Sequence, residues 1–168
     1  MPLILGVRSN NMVTDAIQFE EWETPFLGGD LQIIDLHWGD GSFSCRTKEG
    51  KEFKLEENPS FKNVELQAHI LDLSDGCLYR VDYSQVNGFR LLDEHGLLEL
   101  WEARDKQQVK LKSTFKVKNH MWSKESPLTF FHGNSDEWSH VVSTDNECLE
   151  VVCENTPSIV KIDQVTSG

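Results

Sequence analysis

The stretch that most constrains the fold runs from Val64 to Tyr83. Val64, Leu66, Ala68 and Ile70 alternate with Glu65, Gln67 and His69; after Asp75-Gly76, Cys77, Tyr79, Val81 and Tyr83 alternate with Arg80 and Asp82. A period of two places each set on one strand face, and a turn signal between two such runs predicts an antiparallel hairpin with one buried side. From Cys77 the chain continues to Trp101 as CLYRVDYSQVNGFRLLDEHGLLELW, much of its densest apolar content. Asn87-Gly88 predicts a bulge that re-aims the strand before Phe89 and Leu91 resume the alternation.

The same grammar recurs along the chain. Residues 3–7, 16–23 and 31–38 read as strands, and Gly39-Asp40-Gly41 has hairpin turn chemistry. Residues 42–47 and 52–56 flank Lys48-Glu49-Gly50-Lys51, which predicts a meander of three linked strands with 31–38. Residues 106–118 read as a strand with Val109, Leu111, Phe115 and Val117 on one face and Lys110, Lys112, Lys116 and Lys118 on the other. Residues 126–132 also read as a strand, 138–143 and 148–154 as a closing pair, and 158–162 as a last strand. One helix is expected near 93–103, capped by Asp93, with Leu97, Leu98, Leu100 and Trp101 as its apolar face and Gly96 weakening it. The pattern predicts a mainly β protein, an antiparallel sandwich or strongly bent sheet with one short helix, forming a single domain over residues 1–168.

The net charge is −12. A nucleic-acid backbone is recognised by basic residues that replace its counterions, so the balance argues against nucleic acid and for solubility or a basic partner. Residues 104–124 depart from it, with seven basic residues and one acid. Lysines on one strand face are expected to guard an exposed strand face or edge against aggregation. No apolar run approaches the roughly 20 residues that span a bilayer. The apolar residues 1–7 are short for a signal peptide, and Arg8 follows instead of preceding them, so a cytoplasmic protein is expected. Cys45, Cys77, Cys148 and Cys153 form no Cys-x-x-Cys pair and are expected to be reduced and partly buried.

Catalytic patterns are few. His132, Asp136 and His140 are spaced by four and could meet at a metal, although Gly133-Asn134-Ser135 between them has loop chemistry. Asp93, Glu94 and Glu99 with His95 could be drawn together for acid–base work, but a cap and first-turn acids explain them as well. Arg90, between Phe89 and Leu91, points away from both and is expected to pair with Asp93 or Glu94. Most of Trp22, Trp38, Trp101, Trp122 and Trp138 should lie in the core. Trp22 stands among Glu20, Glu21 and Glu23, and Trp138 follows Asp136 and Glu137. An aromatic beside acids supplies contact area while the acids steer a basic partner, so these seven residues form the expected contact patches.

The run Gly88-Phe89-Arg90-Leu91-Leu92-Asp93-Glu94, followed by Leu97-Leu98 and Trp101, resembles a stretch shared by small acidic bacterial proteins of this length. Glu125-Ser126-Pro127-Leu128 and residues 144–152 are similar to the same group over residues 77–152. Such proteins look like immunity proteins encoded beside secreted antibacterial toxins. The resemblance implies a cytosolic, non-enzymatic protein that binds and blocks a toxin with a basic surface, with no cofactor and no metal. A small-molecule-binding β-barrel and a metal-dependent hydrolase are the alternative expectations.

Overall fold

The computed structural model describes residues 16–39, 43–55, 64–93, 95–131 and 137–164. The expected strand at 3–7 lies outside them. The hairpin that opened the sequence reading is present: β5 (Leu66–Asp72) pairs antiparallel with β6 (Cys77–Tyr83), and Ile70 faces Tyr79 across the ladder. Its turn closes as the residues demand, with Gly76 at φ +73° and the Asp75 carboxylate accepting from the Cys77 amide at 2.8 Å.

β2 (Leu31–Trp38) and β11 (Ser158–Gln164) flank this hairpin, giving a four-stranded sheet in the order β11-β6-β5-β2. The expected meander is therefore corrected. Among the described residues β3 (Phe43–Arg46) and β4 (Glu52–Leu55) pair only with each other, and β2 pairs instead with β5. Ile33, Leu36 and Trp38 of β2 come opposite Ile70, Ala68 and Leu66 of β5, which extends one apolar face across three strands.

The second sheet has five strands in the order β1-β8-β9-β10-β7: β1 (Gln18–Glu21), β8 (Thr114–Lys118), β9 (Ser139–Ser143), β10 (Glu147–Cys153) and β7 (Val86–Asp93). Cys153 sits opposite Val86 and Val152 opposite Gly88, so Asn87 is the extra residue expected from the bulge signal.

The two antiparallel sheets pack face to face. Val142, Leu149, Val151 and Cys153 meet Leu66, Ala68, Ile70, Tyr79, Val81 and Tyr83 across the interface, with Trp22 and Phe26 closing one end. These side chains fill the space in which a ligand-binding barrel would need a cavity, and the sheets stay separate instead of closing on each other.

The opposite face of the five-stranded sheet is covered too. Phe115, Val117, Val141 and Cys148 pack against Leu97 and Leu100, which α1 (Leu98–Gln107) and its preceding turn lay over them. β10 is consequently buried along nearly its whole length and reads CLEVVC instead of alternating.

The helical segments differ from expectation in three places. α1 begins five residues later than expected, because Asp93 is spent on the turn before it: its carboxylate accepts from the His95 amide at 3.1 Å, and α1 itself has no side-chain cap. Residues 108–113 form no strand, so only Thr114–Lys118 of the expected long strand pairs. Residues 126–131 are not a strand either. α2 (Met121–Glu125) and α3 (Pro127–Phe131) form there, with Pro127 at the first helical position, where its missing N–H is not needed. No helix among the described residues is long and apolar enough to cross a membrane.

Gly96 has a different role from helix weakening. A Cβ there would lie 2.5 Å from Leu92 Cβ, so the glycine lets the chain double back tightly from β7 to α1. Gly96→Ala is expected to cost about 1–3 kcal/mol through overpacking, read as a lowered urea midpoint at unchanged slope.

Candidate functional site

Two clusters of charged and aromatic side chains stand out, one exposed and one buried. The exposed cluster joins the two predicted contact stretches. On β1, Glu20 lies opposite Lys116 of β8 and forms an ion pair with it, and Glu21 reaches Lys112 at 3.0 Å. The Trp138 ring, half-buried just before β9, receives Lys118 Nζ at 4.6 Å and Lys116 Nζ at 5.6 Å from its centroid. One strip of the five-stranded sheet thus presents acid, ammonium and indole side by side.

This arrangement narrows the role given to the lysines from a strand face or edge to a face. β8 is an interior strand flanked by β1 and β9, so Lys116 and Lys118 guard no edge. They lie among Glu20 and Trp138 instead. Glu23 and Glu137 are exposed, with Glu137 at φ +55° in the turn that delivers Trp138. Trp22 does not belong to this surface: it is 6% exposed, in the sandwich core with its ring 4.8 Å from that of His140. Trp22 lies just past the end of β1 on the same side as Glu20, and there the opposite sheet covers that side. Asp136 lies outside the described residues, as do His132 and Glu94.

His140 is therefore the one member of the proposed metal trio that the structure describes. It is 6% exposed, and Nδ1 lies 3.8 Å from Cys153 Sγ. A cysteine beside a histidine invites a nucleophile reading, but the chemistry runs the wrong way. Burial pushes the Cys153 thiol up to about 12, and burial with the nearby Lys116 charge pushes the His140 imidazole down to about 4. Both groups are neutral near pH 7, whereas a catalytic pair needs thiolate and imidazolium. Among the described residues no three His, Cys, Asp or Glu side chains converge on a metal position.

The buried cluster centres on Glu150, in the middle of β10 and fully enclosed. The Arg90 guanidinium on β7, directly opposite in register, donates through Nε at 2.7 Å and approaches through a terminal nitrogen at 2.6 Å. Ser139 Oγ donates to the other carboxylate oxygen at 2.5 Å. His120 Nε2 lies 2.7 Å from that same oxygen, although the ring N–H is not directed at it and neither ring nitrogen makes a well-aligned hydrogen bond. Burial alone would raise the Glu150 carboxyl; the His120 ring, the Arg90 guanidinium and the Ser139 hydroxyl more than offset it and hold it below the usual carboxylate range.

Aromatic rings seal the cluster from above. Trp122 of α2 takes the Arg90 guanidinium at 4.7 Å over its face, and Phe130 of α3 meets His120 at 5.6 Å and Trp122 at 5.1 Å. Gly88 lets this lid sit close, since a Cβ there would come 3.0 Å from Thr129 Cγ2. Arg90 is paired as expected, but to Glu150 and not to Asp93. Glu99, the remaining acid of the supposed acid–base set, accepts from the Met121 amide at 2.9–3.0 Å and so caps α2. Glu150, His120 and Ser139 were missed in the sequence. The available signal was a carboxylate inside the apolar run CLEVVC, since a charge in such a run requires partners.

Glu150→Gln leaves Arg90 beside a neutral amide and is expected to destabilise the fold by about 3–5 kcal/mol. Equilibrium urea unfolding of the single variants and of Glu150→Gln/Arg90→Met measures it, and the double variant should recover part of the loss. For His140 the folded state resists a proton that the unfolded chain accepts. Its contribution is complete above the ordinary value of 6.5 and is lost as pH falls toward about 4. Between pH 7 and 5 the wild type should lose about 2 kcal/mol more stability than His140→Gln; equal slopes for the two proteins in that window would show that His140 carries none of it. No family model matches this chain, and no curated protein or solved structure is significantly similar to it, so its function rests on this geometry.

Proposed function

We propose that this chain is a non-enzymatic protein-binding domain of the immunity type, which blocks a basic toxin by covering its working surface. The observation that carries this reading is the strip where Glu20 and Trp138 meet through Lys116 and Lys118, with the Glu21–Lys112 pair beside it on the other face of β1, on a chain of net charge −12. Exposed carboxylates in exchangeable ion pairs can trade a lysine of their own chain for a cation of the partner. A half-buried indole held by two ammonium groups offers pre-oriented contact area at small entropic cost. The overall negative charge raises the encounter rate with a basic partner. Complexes between immunity proteins and toxins are among the tightest known, as for colicin nucleases.

The resemblance over residues 77–152 supports the same reading through framework: Arg90, Leu92 and Leu97 are core and cluster residues, so it speaks for the scaffold while the strip supplies the contact chemistry. In this proposal the protein acts in the cytoplasm, needs no cofactor and does no chemistry.

The direct test is co-expression with the product of the adjacent gene. A toxic neighbour that co-purifies with this protein, and cells rescued by it, are the expected results; a harmless neighbour or no rescue overturns the proposal. On the surface itself, Glu21→Lys with Glu23→Lys should slow association about tenfold at low ionic strength and much less at high salt. Trp138→Ala should instead speed dissociation tenfold or more, as measured by surface plasmon resonance.

A further inference from the structure

A groove at the far end of the five-stranded sheet carries an independent inference. Its main cavity, about 660 Å³, falls within the roughly 300–1,000 Å³ typical of small-molecule sites. Two cations line it, Arg104 near the end of α1 and Lys112 in the segment entering β8, together with the Trp101 indole. Two carboxylates line it from the facing loops, Asp30 and Asp145. A second cavity of about 420 Å³ shares Asp30 and Asp145 and adds Glu147, with no cation in its lining. The groove is thus polarised: cationic and aromatic at one end, acidic at the other.

The hydroxyls of this groove are engaged in structure. Ser113 Oγ accepts from the Gly28 amide at 2.8 Å, and Thr144 Oγ1 holds the β9–β10 turn through the Asn146 and Glu147 amides. The charged groups are more available. Arg104 is braced on the Trp101 face at 5.4 Å and touches only the exposed carboxylate of its neighbour Asp105, while Lys112 pairs with exposed Glu21. The carboxylates of Asp30 and Asp145 have no partner among the described residues. A purely anionic ligand would meet repulsion from the acids, and a purely cationic one from Arg104 and Lys112. A molecule with both charges and an apolar body satisfies the whole lining.

We infer that this groove binds a small zwitterion presenting an α-carboxylate and an α-ammonium, an amino acid or a dipeptide. The carboxylate lies at Arg104 and Lys112, the ammonium faces Asp30 and Asp145, and the side chain rests on Trp101 and Leu111. This site touches the toxin-facing strip only at Lys112, the partner of Glu21, and Arg104 and Asp145 lie outside that strip, so substitutions at these two separate it from toxin binding.

Isothermal titration calorimetry at low ionic strength with L-phenylalanine, the dipeptide Ala-Phe, N-acetyl-Ala-Phe and Ala-Phe-amide tests it. Saturable binding of Ala-Phe or phenylalanine is expected, the preferred one identifying the source, with at least tenfold weaker binding of both blocked dipeptides. Arg104→Gln and Asp145→Asn should each weaken binding about tenfold, and Lys124→Gln, on the exposed side of α2 and outside the groove, should leave it unchanged. Thermal unfolding of each variant checks that it is folded. No saturable binding of either free zwitterion by the folded wild type overturns the inference, as does equal binding of blocked and free forms or indifference to both groove substitutions.

Discussion

The enclosed carboxylate of Glu150 is the interaction on which the rest of the structure depends. An unpaired charge inside a protein costs several kcal/mol, so the chain must bring cations and donors to it. Arg90 arrives from β7, Ser139 from β9 and His120 from the turn before α2. Three other segments are thereby tied to one strand position. Trp122 and Phe130 then keep water out, which explains why residues 121–131 are helical: a strand there would leave the cluster open. Apolar packing holds the sheets together, and this network specifies which elements meet at the outer face.

That outer layer makes the five-stranded sheet the middle of the molecule. Its inner face meets the four-stranded sheet through Leu149, Val151 and Tyr83, and its outer face meets α1 through Val141, Cys148 and Leu100. The four-stranded sheet keeps a polar outer face. There Gln67 donates to Asp82 at 2.8 Å, Arg80 donates to the same carboxylate at 3.1 Å, and His69 meets Asp35 at 2.6 Å. Partnerships between neighbouring strands satisfy these side chains, so they need no further role.

The strands were largely legible because period-two alternation reports a half-buried strand directly. β1, β2, β5, β6, β9, β10 and β11 appear within a few residues of their expected positions. Alternation misled at 106–112, where Val109 and Leu111 cover the end of a sheet without joining it. It misled again at 126–131, where Leu128 and Phe131 are exposed while Phe130 turns inward on a helical period. Of the expected contact residues, Glu20 and Trp138 lie together through Lys116, while Glu21 turns to the other face and pairs with Lys112. Trp22 carries the same local composition and shares the side of Glu20, but it lies past the end of β1 where the opposite sheet covers that side, and composition carries no information on depth.

By itself, the sequence determined that this chain builds antiparallel sheets, that their hairpins close at Asp75-Gly76 and near Thr144, and that its net charge is negative. Side-chain period, turn chemistry and net charge are local or summed quantities, and they survive without coordinates. Strand order was decided only in the tertiary structure. β2 joins β5 and not β3, β8 lies inside the sheet, Arg90 pairs across 60 residues with Glu150, and Arg104 and Asp30 come to line one groove. Each of these depends on which apolar faces bury one another best, and that competition is settled by the whole core at once.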